Sequence, residues 1–199
     1  MSNKTIEELL PEFYEENNLG AEGGMNSSSV RIEMAKNLVL YFPNFSARRK
    51  AVLKHDIHHL ITDYPSTFTG ETEISAWEIA SGCKKYWAAW VLDISGMMMG
   101  IFFNFWGVLK AFARGRRTKN LYFDIMPDEQ AMKMKPHELK GILLLDKFPK
   151  NVKPSMVDLI FLLLVTLLGI FYTFLSLLLL PFVIVYTIYT KSKLRLQTR

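Results

Sequence analysis

One segment near the C-terminus, residues 159–190, contains no charged side chain. As a continuous helix it would be roughly 48 Å long at about 1.5 Å per residue. That length exceeds the roughly 30 Å of hydrocarbon in a bilayer. The chain of 199 residues has room for one ordinary domain and an appendage. We therefore predict that the appendage is a membrane anchor.

Basic residues flank this apolar segment on both sides. They are Lys147, Lys150 and Lys153 before it, and Lys191, Lys193, Arg195 and Arg199 after it. Because basic flanks stay on the cytoplasmic side of a membrane, both ends are expected on that side. A hairpin of two short helices satisfies this expectation, whereas one long helix, tilted or kinked at Pro181, does not. We favour the hairpin.

The remaining chain predicts helices and no strand pattern of useful length, so the expected class is all-α. Expected helices cover residues 5–16, 30–41, 46–63 and 69–90, and an uncharged segment at 94–109 predicts a buried or half-inserted helix. The domain prediction has three parts: an acidic helix and flexible linker (1–29), a helical metal-binding domain (30–150) and a membrane anchor (151–199).

The charge pattern favours a membrane partner over nucleic acid. The net charge is +5 and the pI is about 9.2, but the basic residues collect beside apolar segments and form no long stripe with interleaved aromatics. The single cysteine, Cys83, excludes an internal disulfide and is expected to be a small buried residue. The acidic N-terminus resembles neither a secretory signal nor a transit peptide, which favours the cytoplasmic face of a bacterial inner membrane.

The most informative local motif is His55-Asp56-Ile57-His58-His59, with Glu71 farther along the chain. On a helix, His55 and His59 project from one face, with Asp56 on the same side. Two imidazoles and two carboxylates form a mixed nitrogen and oxygen site that suits zinc or another borderline divalent ion. The predicted metal ligands are His55, Asp56, His59 and Glu71.

Three other histidine-rich sites fit this motif less well. Membrane desaturases need many more histidines than the four present in this chain. The phosphohydrolases named after the His-Asp dipeptide also use a histidine upstream of it, and this chain has none before His55. A zinc protease would show His-Glu-x-x-His, with the glutamate as general base. Asp56 is one methylene shorter than that glutamate and is better placed as a ligand.

Other residues near the motif have predicted supporting roles. His58 points away from the pair, so we expect it to support a ligand or carry a proton. Glu78 lies two helical turns after Glu71 and is a candidate acid, base or hydrogen-bond partner. With Glu71, these two residues form the predicted catalytic set. Three arginines, Arg114, Arg116 and Arg117, are candidates for binding lipid head groups, with a solvated loop as the alternative.

The His-Asp-x-x-His pattern followed by Glu71 resembles that of the ubiquinone (coenzyme Q) biosynthesis protein four family. Supporting similarities are Pro43-Asn44, Leu60-Ile61-Thr62, Gly70-Glu71 and Arg114-Gly115-Arg116-Arg117. The resemblance covers residues 30–145. The acidic N-terminus and the apolar tail depart from the family core, and Asp63 stands where glycine is expected.

The resemblance implies a helical protein with zinc or a similar divalent ion. The implied substrate is a polyprenylated hydroxybenzoate at the membrane, which would lose its ring carboxylate at C1, with or without replacement by hydroxyl. Other quinone-biosynthesis enzymes are implied partners, and a homodimer is left open. The alternative is a prenyl-lipid-binding scaffold that organises such enzymes around a non-catalytic metal.

Overall fold

The computed structural model describes residues 3–20, 22–35 and 38–197, and it is mostly helical, as predicted. The first half contains α1 (Ile6–Glu16), β1 (Ser29–Ala35), β2 (Leu38–Pro43), α2 (Ser46–Thr62) and α3 (Phe68–Ser81). The second half contains α4 (Trp87–Phe103), α5 (Phe105–Gly115), a 3₁₀ turn (Leu121–Phe123), α6 (Asp128–Lys133), α7 (Pro136–Ile142), α8 (Met156–Leu177) and α9 (Leu180–Gln197).

Helix α2, which carries the histidines, has the predicted limits. It begins at Ser46 and ends at Thr62, immediately before Asp63. Pro65 disfavours a helical conformation in Tyr64, which helps to end the helix there. Asp63 adopts a φ of 65°, the left-handed conformation that glycine most readily supplies. The departure from the expected glycine is therefore accommodated by aspartate, one of the few other residue types that tolerate this conformation.

The helix predicted over residues 30–41 is wrong, because β1 and β2 pair as antiparallel strands on either side of residues 36 and 37, which lie outside the described residues. The even-numbered positions from 30 to 42 are apolar except for residue 36, which is the alternation of a strand. The helical spacing of the apolar residues at 30, 34, 38 and 41 uses three of these same positions, so the pattern fits both structures. Helix α9 covers the free edge of β2: the Thr187 hydroxyl accepts a hydrogen bond from the Tyr41 amide at 3.0 Å and donates to its carbonyl at 3.3 Å.

The single long helix predicted from residue 69 to about 90 is also wrong, because α3 ends at Ser81 and α4 begins at Trp87. Gly82 has a φ of 94°, which takes the backbone out of the helix. The Asn120 side chain donates hydrogen bonds to the Ser81 hydroxyl at 2.8 Å and to the Gly82 carbonyl at 3.2 Å, which stabilises the break. Cys83 follows in this turn and is fully buried, as predicted.

The core lies between α2, α3 and α5, where Ile57, Ile61, Ile74 and Trp77 are fully buried. Burial of each of these side chains contributes about 1.5–3 kcal/mol. The single helix predicted over the uncharged segment 94–109 is divided at Asn104 into the end of α4 and the start of α5. Helix α3 packs on both of these helices. This arrangement holds the first turn of α3 beside the histidine face of α2.

The C-terminal apolar segment forms two helices, α8 and α9, separated at residues 178–179. Within the described part of the chain, only α8 is long and apolar enough to cross a membrane. It packs on α4 and α5, and a Cβ added at Gly169 would lie only 2.5 Å from the Met98 sulfur. Most of its remaining surface is exposed, which leaves a continuous apolar face on the outside of the protein.

Candidate metal centre

Three of the four predicted metal ligands converge on one point. The Nε2 atoms of His55 and His59 lie 3.1 Å apart. Glu71, in the first turn of α3, places one carboxylate oxygen 3.4 Å from His55 Nε2 and the other 3.3 Å from His59 Nε2. The Ser66 hydroxyl holds this carboxylate with a hydrogen bond of 3.0 Å. The structure therefore brings together three of the four residues predicted from the sequence spacing, and their role as metal ligands stays a prediction.

Hydrogen bonds on the far side of each ring determine which nitrogens face this point. His59 Nδ1 donates to the Tyr64 carbonyl at 2.8 Å, and His55 Nδ1 donates to a Glu78 carboxylate oxygen at 3.0 Å. Both acceptors require a proton on Nδ1, so each neutral ring has its lone pair on Nε2. Two lone pairs and a carboxylate within 3.4 Å repel one another unless a cation lies between them.

The donor set, two imidazole nitrogens and a carboxylate, is of the kind that borderline divalent ions such as zinc prefer. Ligand atoms about 2.0–2.1 Å from a tetrahedral zinc ion lie about 3.3 Å from one another. In this cluster the two imidazole nitrogens lie 3.1 Å apart, and each has a different oxygen of the Glu71 carboxylate at 3.3 or 3.4 Å, so the nitrogen pair has this spacing and the carboxylate faces both nitrogens. Three protein ligands with one position open are typical of catalytic zinc, whereas structural sites are closed by four. Among the described residues, a second group that could hold an ion is formed by His55, Glu78 and Asp93.

The charges at the site favour a cation. Burial alone would lower the pKa of His55, but the nearby carboxylates of Glu78 and Glu71 raise it well above its ordinary value. Burial would raise the pKa of Glu71, but the hydrogen bonds and charges of His55 and His59 outweigh that effect and lower it. The cluster therefore attracts positive charge, whether a proton or a metal ion supplies it.

Glu78 is the centre of a buried hydrogen-bond network behind the ligands. Its side chain is fully buried, and it accepts hydrogen bonds from Nδ1 of both His55 and His58. The backbone amide of Leu121 donates to His58 Nε2 at 3.0 Å. Both ring nitrogens of His58 are hydrogen-bonded and the ring is fully buried, so His58 is not a ligand and supports Glu78 instead. Burial lowers the pKa of His58, which favours its neutral form. The predicted role of Glu78 as a hydrogen-bond partner matches this position.

Asp93 of α4 extends this network and was not identified from the sequence. Its side chain is buried, and its pKa is raised well above the ordinary value by burial and by the charge of Glu78. Glu78 keeps its charge, because the charge and hydrogen bond of His55 overcome the effect of burial and lower its pKa. The pKa values of the two neighbouring carboxyl groups are therefore shifted in opposite directions, with Asp93 favouring its neutral form more than Glu78 does. A lone acid within the apolar sequence of α4 was the signal that could have revealed it.

Asp56, the fourth predicted ligand, lies outside the convergent group. Its carboxylate accepts a hydrogen bond of 3.0 Å from the Tyr14 hydroxyl. Burial raises the pKa of Asp56 to about 6, although the charge of His55 opposes the shift. In the same helix α1, Phe13 stacks on the His59 ring with the ring centroids 5.5 Å apart. The N-terminal helix, predicted only as an acidic appendage, thus covers one side of the site.

The three arginines predicted to bind head groups have internal partners. Arg114 is buried and donates to the carbonyls of Phe148 and Thr62 at 2.8 and 2.7 Å. Arg116 and Arg117 pair with Asp158 near the start of α8, at 2.8 and 2.7 Å. Burial makes Arg114 inaccessible to a lipid, and the other two arginines fasten α8 to the end of α5. Head-group binding by Arg114 is contradicted by its burial, whereas for the partly exposed Arg116 and Arg117 it stays a prediction beside their ion pairs with Asp158.

No protein-family model matches this chain, and no similar curated protein or solved structure was found in comparisons with known proteins. Membership of the ubiquinone biosynthesis protein four family therefore stays a prediction from the sequence motif.

Proposed function

We propose that this protein is a membrane-bound, divalent-metal-dependent enzyme of ubiquinone biosynthesis that removes the C1 carboxylate of a polyprenylated hydroxybenzoate. The observation that carries the proposal is the convergence of His55 Nε2, His59 Nε2 and the Glu71 carboxylate within 3.4 Å. A divalent ion, with zinc the best fit, would be held by these three residues. When bound, it would act as a Lewis acid toward the carboxylate or phenolate of the substrate.

The protein residues would hold this centre rigid and leave one side open. The Tyr64 carbonyl and Glu78 fix the orientation of the two imidazoles, which is the usual way that proteins orient metal-binding histidines. The His59 side chain is only 2% exposed, whereas that of Glu71 is 42% exposed. An aromatic acid would therefore approach from the Glu71 side, while α1 excludes water from the opposite side.

The bilayer would be the source of the substrate. Transfer of a polyprenyl chain into water costs about 0.8 kcal/mol for each CH₂ group, so such a substrate stays in the membrane. The exposed apolar face of α8 favours a position of the protein in or against that membrane. We further propose that α8 and the residues of α9 before Thr187 enter the bilayer as a hairpin from the cytoplasmic side of a bacterial inner membrane, and that the chain leaves the bilayer where Thr187 contacts the edge of β2.

Matched variants in α3 test the enzymatic proposal. Purified full-length protein should contain stoichiometric divalent metal and should decarboxylate a short-chain prenylated hydroxybenzoate. Glu71→Ala should abolish both metal content and turnover, whereas Glu73→Ala, two residues away and outside the cluster, should retain both. Metal-loaded wild-type protein that shows no loss of carbon dioxide would exclude this reaction.

The second candidate is a prenyl-lipid-binding scaffold that organises quinone-biosynthesis enzymes around a structural metal. The cover provided by Phe13 and Tyr14 favours it, because structural metal sites are closed to solvent. In this case Glu71→Ala would leave turnover by partner enzymes measurable but would reduce their co-purification with the protein.

Cysteine labelling tests the hairpin. Lys153→Cys and Ser192→Cys place one thiol before α8 and one near the end of α9, while native Cys83 is buried. In spheroplasts, a membrane-impermeant reagent should label neither site until the membrane is opened. Labelling of one site alone in intact spheroplasts would show a single span.

A further inference from the structure

Four aromatic side chains are exposed together where the start of α3 meets the corner between α4 and α5. Phe68 is the first residue of α3 and Phe103 the last of α4, and their rings are in edge contact with the centroids 5.9 Å apart. We call this group the aromatic tip. Its members are between 51% and 79% exposed and are Phe68, Phe102, Phe103 and Trp106. Single exposed apolar residues are ordinary, but a cluster of them marks an interaction surface.

The aromatic tip continues the exposed apolar surface of α8. Gly169 is the last buried residue of α8, and a Cβ added there would lie 2.5 Å from the Met98 sulfur of α4. Phe102 is one helical turn after Met98 on the same side of α4. The tip therefore lies one turn from the place where α8 loses its cover by the rest of the protein.

The segment that follows Gly169 indicates what covers this surface. Residues 170–186, all of which the structure describes, contain no charged residue and no buried residue. Such a segment belongs in hydrocarbon, and α8 is long and apolar enough to cross a membrane. Because the segment starts beside the tip, a bilayer that receives it also reaches the tip.

The charges near the tip limit how deeply it can enter a bilayer. Lys110 is exposed and follows Trp106 by one turn of α5, about 6 Å along the helix axis. A lysine at this distance belongs in water or among the head groups, whereas tryptophan is enriched at the boundary between head groups and hydrocarbon. The aromatic rings alone can therefore be inserted, at the level of the interface.

Phe68 connects the tip to the candidate metal centre. It is three residues before Glu71 in α3, so the two side chains are neighbours on the helix surface. Glu71 forms the open side of the cluster, with its side chain 42% exposed. A bilayer at the aromatic tip would therefore lie next to the open side of the metal centre.

We propose that the aromatic tip inserts into the interface of the same bilayer that receives α8, so that the protein contacts the membrane at two places. The second contact fixes the orientation of the domain, which an anchor alone leaves free because membrane helices tilt by up to about 40°. It holds the open side of the candidate metal centre at the membrane surface. The inference rests on the proposed membrane placement, but it does not depend on the proposed reaction.

The test uses the tryptophans of the full-length protein in phosphatidylcholine vesicles, with and without bromine on the upper part of the acyl chains. Bromine quenches tryptophan fluorescence only at close contact, so part of the wild-type emission should be lost in brominated vesicles. Trp106→Phe should remove most of this quenching. The control Trp87→Phe should retain it, because Trp87, 56% exposed at the other end of α4, follows the exposed lysines Lys84 and Lys85.

Removal of the neighbouring rings tests whether the tip acts as a unit. Phe102→Ser combined with Phe103→Ser should also remove most of the quenching, because burial of these rings is what holds Trp106 in the interface. Phe123→Ser is the matched control: Phe123 lies beside Gly82, at the opposite end of α3 from Phe68. Thermal unfolding verifies that each variant is folded. Equal loss of quenching in the tip variants and in the controls would show general adsorption and overturn the proposal.

A reporter in α8 separates this proposal from the proposed membrane placement. Phe171→Trp adds a tryptophan two residues after Gly169, in the segment expected to enter the bilayer, and should add quenched emission. If the Phe171→Trp emission is quenched but the wild-type tryptophans are not, only the proposal for the aromatic tip fails. If neither is quenched, the proposed membrane placement fails as well. No outcome requires turnover, so failure of the proposed reaction would leave the result unchanged.

Discussion

Replacement of Glu78 by glutamine should weaken metal binding although Glu78 is not one of the three convergent ligands. The glutamate accepts Nδ1 hydrogen bonds from both His55 and His58. Glutamine offers one acceptor oxygen and one NH₂ donor, so its NH₂ group must face an Nδ1–H of one ring. That imidazole must then move its proton to Nε2.

The structure determines which ring changes. His58 Nε2 already accepts from the Leu121 amide at 3.0 Å, so a proton there would break a second buried hydrogen bond. His55 has no such constraint and is the ring that changes. With its proton on Nε2, His55 cannot coordinate a metal through that atom. Loss of the group that orients a metal ligand typically lowers metal affinity 10–100-fold, or by about 1.4–2.7 kcal/mol. Because Glu78→Gln also removes the His55 lone pair from the site, we expect a loss of affinity near the upper end of this range.

The assay is a zinc competition titration against a chelating dye, with Glu73→Gln as the matched control. Both changes replace a glutamate in α3 by its amide, but only Glu78 touches the ligands. Thermal unfolding without metal, run in parallel, verifies that both variants are folded. A folded Glu78→Gln protein that binds zinc as tightly as wild type would refute the tautomer reasoning.

Three further predictions concern stability. Zinc at 100 times its Kd should stabilise the wild-type fold by about 2.7 kcal/mol in urea unfolding, and His59→Ala should remove the effect. Asp63→Gly should stabilise the fold by about 0.5 kcal/mol in the same assay. Glycine removes a cost of about 1 kcal/mol for the left-handed backbone, and the exposed ion pair between Asp63 and Lys140 that is lost contributes less than that. For Asp124, burial raises the pKa, but hydrogen bonds from Lys85 and other partners outweigh it and lower the pKa to about 2. The ionised Asp124 carboxylate therefore stabilises the fold by about 1 kcal/mol, after allowance for solvent screening, at pH values above its unfolded pKa of about 3.9. This stabilisation is lost as the pH falls toward 2, where the Tm values of wild type and Asp124→Asn should converge.

The convergence of His55, His59 and Glu71 could be predicted from the sequence because the residues that bring it about are close together in the chain. His55 and His59 are one helical turn apart, and a proline-bounded turn returns the chain to Glu71 within a few residues. The contacts of Tyr14 and Asp93 with the site depend on the packing of α1 and α4, which no short pattern contains. The hairpin at residues 29–43 was missed for a related reason, since its apolar alternation also fits a helical spacing and only its partner strand and α9 decide between them.

The turn between α2 and α3 explains why Glu71 lies beside the two histidines. Asp63, with its φ of 65°, directs the backbone so that the Tyr64 carbonyl lies 2.8 Å from His59 Nδ1, which fixes the tautomer of that ligand. Gly70 then lets the start of α3 approach the turn, since a Cβ there would lie 1.9 Å from the Pro65 carbonyl oxygen. Any larger residue would push α3 outward and carry Glu71 away from the histidines. Gly70→Ala should therefore lower both metal affinity and stability, even though residue 70 contacts no ligand atom. Zinc titration and urea unfolding measure the two effects, and wild-type metal affinity in Gly70→Ala would show that the close approach of α3 does not position Glu71.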